Sequence, residues 1–223
     1  MALIRIGKSG AASCGLEGRL DDLRRQFNSE HYVRLPELLE PDLLNFIQTE
    51  IEGGEFYERV HEGIKSNKEL CMKQNGAFGA LLLFMNDEKL FGMIQSITQC
   101  DRIGCFEGRV YRFMPGQGHH DAWHSDMAQD RLVAMSINLG RNVYEGGTLQ
   151  IRDSGSQRII SEVPNVGSGD AIIFHLAPEL QHRITEVKGD AMKTAFAGWF
   201  RARPSFLSLL KGVPEPNEGN ATT

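Results

Sequence analysis

The second half of the chain consists of short segments in which apolar and polar residues alternate, separated by turns that contain glycine. Alternation sends successive side chains to opposite faces of a strand, so each segment predicts a β-strand with one buried face. The predicted strands are 108–114, 131–139, 147–152, 158–163, 170–175, 182–187 and 193–201. Many short strands at regular intervals are typical of a sandwich, barrel or jelly roll.

The first half of the chain has helical spacing instead. Pro41 opens one helical pattern, and Asn86 is the expected N-cap of another. The predicted elements are helices over 20–27, 42–51 and 87–98 and a short edge strand over 31–35. Residues 1–20 show little periodicity and are expected to be loosely held, and the stretch between 54 and 86 gives no assignable pattern.

The two patterns together predict one α+β domain over residues 1–223, since a chain of this length is enough for one well-packed core. We expect a mainly helical N-terminal part over 20–101 that supports a jelly-roll core over 102–203. Residues 212–223 contain two prolines and polar residues and are predicted to form a flexible tail.

The composition is that of an ordinary globular protein, 41% hydrophobic and 24% charged. A net charge of -5 gives no bulk signal for nucleic-acid binding. No apolar run approaches the roughly 20 residues of a membrane helix, and the first residues lack the apolar stretch of a secretory signal. The four cysteines form no metal-site or redox pair spacing, so we expect reduced thiols and a cytoplasmic protein.

One short motif, His124-Ser125-Asp126, suggests metal chemistry. Two positions apart on a strand, the imidazole and the carboxylate would leave the same face. They would supply two of the three ligands of the facial triad that holds Fe(II) and leaves positions open. His182 begins a later predicted strand, 56 residues after Asp126 (182 minus 126), and is the candidate third ligand.

A series of motifs in the second half occurs in a characteristic order: Tyr111-Arg112-Phe113, Trp123-His124-Ser125-Asp126, Glu145-Gly146-Gly147-Thr148-Leu149, Gly169-Asp170-Ala171, His182-Arg183-Ile184-Thr185-Glu186-Val187 and Gly198-Trp199-Phe200. Over roughly 106–203 this series resembles the Fe(II)/2-oxoglutarate dioxygenase superfamily, and most its prolyl 4-hydroxylase-like branch. The resemblance implies a double-stranded β-helix, or jelly roll, behind N-terminal supporting helices. It also implies catalytic iron held by His124, Asp126 and His182, with 2-oxoglutarate and dioxygen as co-substrates. A need for ascorbate stays open.

The resemblance also implies a basic residue that pairs with the distal carboxylate of 2-oxoglutarate. Lys193 is the candidate, eleven positions after the last histidine (193 minus 182) where the family has nine or ten. We attribute the difference to an extra residue in the turn at 189–190, with Arg183 and Arg201 as alternatives. Tyr111 resembles the family tyrosine that hydrogen-bonds the co-substrate. In ordinary structural terms, Lys193 could instead be a solvated strand-edge lysine and Tyr111 a packed core residue.

The implied reaction is hydroxylation of an aliphatic C–H with release of succinate and CO2. Related halogenases have a small residue in place of the carboxylate, so Asp126 favours oxygen transfer. The substrate is undetermined between a small molecule, an amino acid and a peptidyl residue. Two other classes remain as alternatives: a cupin-like metal-binding protein without 2-oxoglutarate chemistry, and a non-catalytic interaction domain that holds no metal.

Other residues near the motif have less specific interpretations. His119 and His120 are expected in a loop that is either on the substrate side or solvated, and His175 is expected to be a packed core histidine. Trp123 and Arg131 flank the expected mouth of the site, where substrate contact and a structural role are equally compatible with the sequence.

Overall fold

The computed structural model of the protein describes residues 2–60, 68–128, 130–164 and 167–211. Its strands are β1 Ile4–Gly7, β2 Gly10–Ser13, β3 Tyr32–Leu35, β4 Phe56–Val60, β5 Lys68–Met72, β6 Cys105–Phe113, β7 Asp121–His124, β8 Arg131–Asn138, β9 Glu145–Gly146, β10 Leu149–Asp153, β11 Ile159–Val163, β12 Ala171–His175, β13 Leu180–Ile184, β14 Val187–Lys188 and β15 Lys193–Arg201. Its helices are α1 Leu20–Glu30, α2 Pro41–Glu52, α3 Gly76–Met85, α4 Glu88–Thr98 and α5 Phe206–Lys211.

Two antiparallel sheets form the centre of the molecule. The larger has seven strands in the order β3-β12-β8-β15-β6-β5-β4, and the smaller has four in the order β11-β10-β13-β7. Non-consecutive strands lie side by side in both sheets, which is the strand arrangement of a double-stranded β-helix. The expected α+β fold with a jelly-roll core is confirmed.

Both faces of the larger sheet are buried along its central strands. Successive side chains on these strands point to opposite faces and so belong to two different buried clusters. On β6 and β15, Phe106, Val110, Phe196 and Phe200 belong to the core that α1 to α4 cover. The other face of this sheet turns toward the smaller sheet, where residues such as Ile151 and Phe174 form a second buried cluster. This second face is the one that carries the site.

The N-terminal part contains more β-structure than the sequence predicts. β3 lies at one edge of the larger sheet, as the predicted edge strand over 31–35, and β4 and β5 at the other edge come from the stretch 54–86 that gave no assignable pattern. Residues 1–20 were expected to be loose, but β1 and β2 form a hairpin in which Ile4 and Ile6 are fully buried. The apolar side chains of this hairpin belong to the helix-covered core, which holds it in place.

The cap of the fourth helix also differs from the prediction. Asp87, rather than Asn86, is the N-cap of α4, and its side chain accepts hydrogen bonds from the backbone of Lys89 and Leu90. Asn86 instead ends α3, and its amide donates to the carbonyl of Phe106 and accepts from the same residue's N–H. Both residue types cap helices well, and the contact with β6 decides between them.

Among the described residues, no helix is both long enough and apolar enough to cross a membrane. The predicted flexible tail, residues 212–223, lies outside the described part of the chain.

Candidate active site

Two neighbouring strands of the smaller sheet bring the three predicted ligands together. His124 ends β7 and lies directly opposite His182 on β13, with the ring centroids 4.3 Å apart. Asp126 follows just beyond β7, in a loop rather than on the strand that the sequence predicts. One ligand atom from each of the three residues lies within 4.8 Å of the other two. The three side chains therefore converge on one point.

Both histidines turn Nε2 toward the carboxylate. Nε2 of His182 lies 3.3 Å from Oδ2 of Asp126, and Nε2 of His124 lies 3.6 Å from Oδ1. The other ring nitrogen of His124, Nδ1, lies 2.7 Å from the carbonyl oxygen of Ala122. A carbonyl at Nδ1 favours the tautomer with its proton there, which leaves the Nε2 lone pair for a metal ion.

The carboxylates at the site favour a positive charge between them. Burial lowers the pKa of His124, but the hydrogen bond to Asp126 and the charge of Asp121 outweigh it and raise that pKa to about 9. Burial raises the pKa of Asp126, but hydrogen bonds from His124 and His182 outweigh it and hold that pKa well below its usual range. Two imidazole nitrogens and one carboxylate are also a donor set that suits Fe(II). The residues present therefore fit an iron ion.

Two further side chains hold the carboxylate of Asp126. The indole Nε1 of Trp199 donates to Oδ2 at 2.8 Å, and a guanidinium nitrogen of Arg131 donates to Oδ1 at 3.3 Å. The guanidinium carbon of Arg131 lies 3.6 Å from the centroid of the Trp199 ring. Arg131, a flanking candidate in the sequence, therefore reaches the triad itself.

Lys193 lies in the interior, on the face of β15 that looks toward the smaller sheet. Its side chain is buried, and Nζ donates to the carbonyl oxygen of Gly147 at 2.6 Å. Burial lowers its pKa to about 7, and the charge of Asp121 only partly opposes that shift. The charged form of a buried lysine that is this poorly compensated would be stabilised by an anion beside it.

Tyr111 lies on β6, next to the strand that carries Lys193. It pairs with Ala195, two residues beyond Lys193, and its ring borders the cavity that the triad also lines. Tyr111 and Tyr144 belong to one buried cluster. Burial raises the pKa of both hydroxyl groups, so both stay protonated at neutral pH.

The two alternative arginines have other partners. Arg183 donates to Gln150 at 2.6 Å and stacks on Trp123, 4.7 Å from the ring centroid. Arg201 forms ion pairs with Glu107 and Asp130.

The remaining histidines of the sequence analysis lie outside the triad. Nδ1 of His119 accepts a hydrogen bond from the backbone N–H of Met114, which stabilises the turn between these residues. His119 is buried and is therefore not solvated. His175 packs against Phe27 and His31.

A buried charge cluster at the cavity was missed in the sequence. The carboxylate of Glu69 on β5 accepts from two nitrogens of Arg109 on β6, at 2.6 and 3.0 Å, and from Arg59 on β4 at 3.3 Å. All three residues line the same cavity as the triad. The alternation Glu69, Cys71 within 68–72 was the available signal, but the segment is too short to stand out.

The fold and the site define a class of protein. It is a double-stranded β-helix in which two histidines on neighbouring strands of the smaller sheet and one aspartate just beyond β7 converge. Residues 108–201 match the family model described as the 2OG-Fe(II) oxygenase superfamily. The matched part of the β-core therefore has the sequence of a 2OG-Fe(II) oxygenase domain, and it contains the three side chains that converge.

Solved structures with the same fold include a prolyl-4-hydroxylase of Pseudomonas putida, at 20% identity and a TM-score of 0.57, covering 83% of this chain and 100% of that one. A 2OG-Fe(II) oxygenase family oxidoreductase of Burkholderia pseudomallei gives 15% identity and a TM-score of 0.61, covering 83% and 92%. A prolyl hydroxylase of Trichoplax adhaerens, in complex with a hypoxia inducible factor peptide fragment, gives 14% identity and a TM-score of 0.58. That match covers 84% of this chain and 92% of the other. No curated protein sequence matches the chain.

Proposed function

We propose that the protein hydroxylates an aliphatic C–H bond, with His124, Asp126 and His182 as the iron ligands. The observation that carries the proposal is the convergence of their ligand atoms within 4.8 Å at the end of the smaller sheet. When bound, iron together with 2-oxoglutarate and dioxygen supplies the oxidising power that converts C–H to C–OH, with release of succinate and CO2.

We propose that Lys193 anchors the distal carboxylate of 2-oxoglutarate. The strand register supports this role, because Lys193 shares a face of β15 with Ala197 and Trp199, and both of these residues line the cavity of the triad. Tyr111, from the adjacent strand, borders that space and offers a protonated hydroxyl to the co-substrate. The ion pairs of Arg201 and the stacking of Arg183 on Trp123 favour Lys193 over either arginine.

The substrate is proposed to be a small molecule, an amino acid or a peptidyl residue. The prolyl hydroxylases among the structural relatives support a peptidyl or amino-acid substrate. Three arginines and three carboxylates line the cavity: Arg59, Arg109, Arg131, Glu69, Asp121 and Asp126. Because charged groups of both signs line it, we expect polar substrates to be preferred over fully apolar ones.

We further propose a reducing compartment, the cytoplasm, as the place of action. All four cysteines lie in the described part of the chain and are thiols rather than disulfides.

Anaerobic titration with Fe(II) and 2-oxoglutarate tests the proposal. We expect a weak visible charge-transfer band in the wild type, its loss in His124→Ala, and an unchanged band in His120→Ala. His120 is a matched control, because its Nδ1 lies 2.9 Å from the carbonyl oxygen of Gly118 in its own turn rather than at the triad. A band that survives His124→Ala would refute the ligand assignment.

The cupin-like alternative is tested with Lys193→Ala. An oxygenase should lose 2-oxoglutarate affinity and succinate formation, whereas a metal-binding protein without this chemistry should be indifferent to the substitution. Succinate formation screened over amino acids, peptides and metabolite pools would then identify the substrate class.

A further inference from the structure

We propose that Trp199 is a positioning residue that limits Asp126 to a single metal–oxygen bond. The inference rests on the proposed metal triad and concerns a residue outside it. Among the contacts of the Asp126 carboxylate, the indole N–H of Trp199 to Oδ2 is the shortest, at 2.8 Å. Among the described residues, the contacts of Oδ1 are longer, to Arg131 at 3.3 Å and to His124 at 3.6 Å. Oδ1 is thus the oxygen that is available to a metal ion.

A bound cation increases the importance of the indole contact. In the protein alone, the carboxylate faces Nε2 of both histidines. Once those nitrogens donate their lone pairs to a metal ion, they no longer donate hydrogen bonds to Asp126. Within the described part of the chain, Trp199 and Arg131 are then the side chains that still donate to the carboxylate.

The indole itself has little freedom to move. Trp199 lies on β15, a central strand, and its backbone pairs with Glu107 on β6 and with Ala134 on β8. The guanidinium of Arg131 covers the ring, 3.6 Å from its centroid. A donor fixed on both its backbone and its ring face sets the orientation of the carboxylate that accepts from it.

The orientation of Asp126 decides how many positions stay open. A carboxylate bound through one oxygen takes one position of an octahedral ion, so the triad leaves three. Two of these suffice for a chelating co-substrate, and one remains for dioxygen. If Asp126 bound through both oxygens, it would take the position that dioxygen needs. The indole N–H of Trp199 therefore preserves the reactive position by orienting Asp126.

The test uses Mn(II) bound to the protein in the absence of 2-oxoglutarate. Water-proton relaxation counts the water molecules on the bound ion, and electron paramagnetic resonance measures the Mn(II) that stays free. In Trp199→Phe, which keeps a ring beneath Arg131 but has no N–H, we expect the inner-sphere relaxivity per bound Mn(II) to fall by about a third, as three open positions become two. Trp123→Phe is the matched control. This second tryptophan also lies beneath arginines, Arg152 and Arg183, but has no contact with Asp126.

A second variant guards against a packing defect in Trp199→Phe. In the Trp123→Phe background, replacement of tryptophan by β-(3-benzothienyl)alanine exchanges only the N–H of Trp199 for sulfur and retains the ring shape. The same fall of about a third is expected. Unchanged relaxivity in this variant would overturn the inference while leaving the metal triad intact. Failure of the wild type to bind Mn(II), or binding that survives His124→Ala, would instead refute the triad and the inference with it.

Discussion

The binding of 2-oxoglutarate should depend on pH through Lys193. Burial lowers the pKa of this lysine to about 7, so the side chain loses its proton as the pH rises through neutrality. A carboxylate placed beside Nζ favours the charged form and raises the pKa in the complex. Only the protonated fraction of the free protein is ready to bind. The affinity should therefore be highest below pH 7 and fall above it.

The size of the effect follows from linkage. The apparent Kd rises with the deprotonated fraction of Lys193, so Kd at pH 8 should exceed Kd at pH 6 by about tenfold. Binding should take up about 0.9 proton per 2-oxoglutarate at pH 8 and about 0.1 at pH 6. Both carboxylates of the ligand stay ionised over this range, so they do not contribute.

Isothermal titration calorimetry of the Mn(II)-loaded protein measures both quantities when it is repeated in buffers of different ionisation enthalpy. Lys193→Arg should bind with no proton uptake, because arginine stays charged. Lys193→Met should bind weakly at every pH, and Lys188→Met, at an exposed position of β14, should behave as wild type. Proton uptake near zero at pH 8 in the wild type would refute the reasoning.

Three further predictions concern the free energy of unfolding, measured by urea denaturation of the protein without ligands. Lys193→Met should raise it by about 1–4 kcal/mol, because it removes a poorly compensated buried charge. Glu69→Gln should lower it by about 3 kcal/mol, because Arg109 keeps its charge but loses its paired carboxylate. Asp87→Ala should lower it by about 1–2 kcal/mol, because this carboxylate caps α4 and also accepts from the backbone of Ala11 in β2.

Exposed carboxylates serve as controls for the last two changes. Glu58→Gln, on β4 and paired only loosely with Lys68, should change stability by less than about 1 kcal/mol. Glu88→Ala, in the first turn of α4, should likewise have a small effect. If Glu58→Gln lowered the free energy of unfolding as much as Glu69→Gln, burial of the pair between Glu69 and Arg109 would not explain the loss of stability. A destabilised Lys193→Met would show that the lysine contributes to packing more than its charge costs.

The sequence predicted the β-core well because its strands alternate clearly. β15 was placed correctly at Lys193–Arg201, and the strand that carries His182 was found within a few residues, whereas no bounds were predicted for β7, which carries His124. α3 was missed because nearly all of its residues are apolar, so no face stands out. β4 was missed because it shows no alternation of buried and exposed residues.

The site could be predicted only where its signal is local. His124 and Asp126 are two residues apart, and the ordered motifs around them carry the pattern to His182. The contact of Trp199 with Asp126 joins residues 73 positions apart and depends on how the sheets close. The pair of Glu69 and Arg109 spans 40 positions and involves a strand that the sequence did not predict. Such contacts have no periodicity that a single sequence could reveal.

The strict alternation along β15 has a consequence for insertions and deletions. One face of the strand presents Lys193 and Trp199 to the site, and the other presents Phe196 and Phe200 to the helices. A single residue gained or lost early in this strand would switch the faces of the residues that follow it, turning Phe196 and Phe200 toward the site and Trp199 toward the helices. The turn before the strand has no such alternation, so we expect length variation between His182 and Lys193 in that turn rather than inside β15.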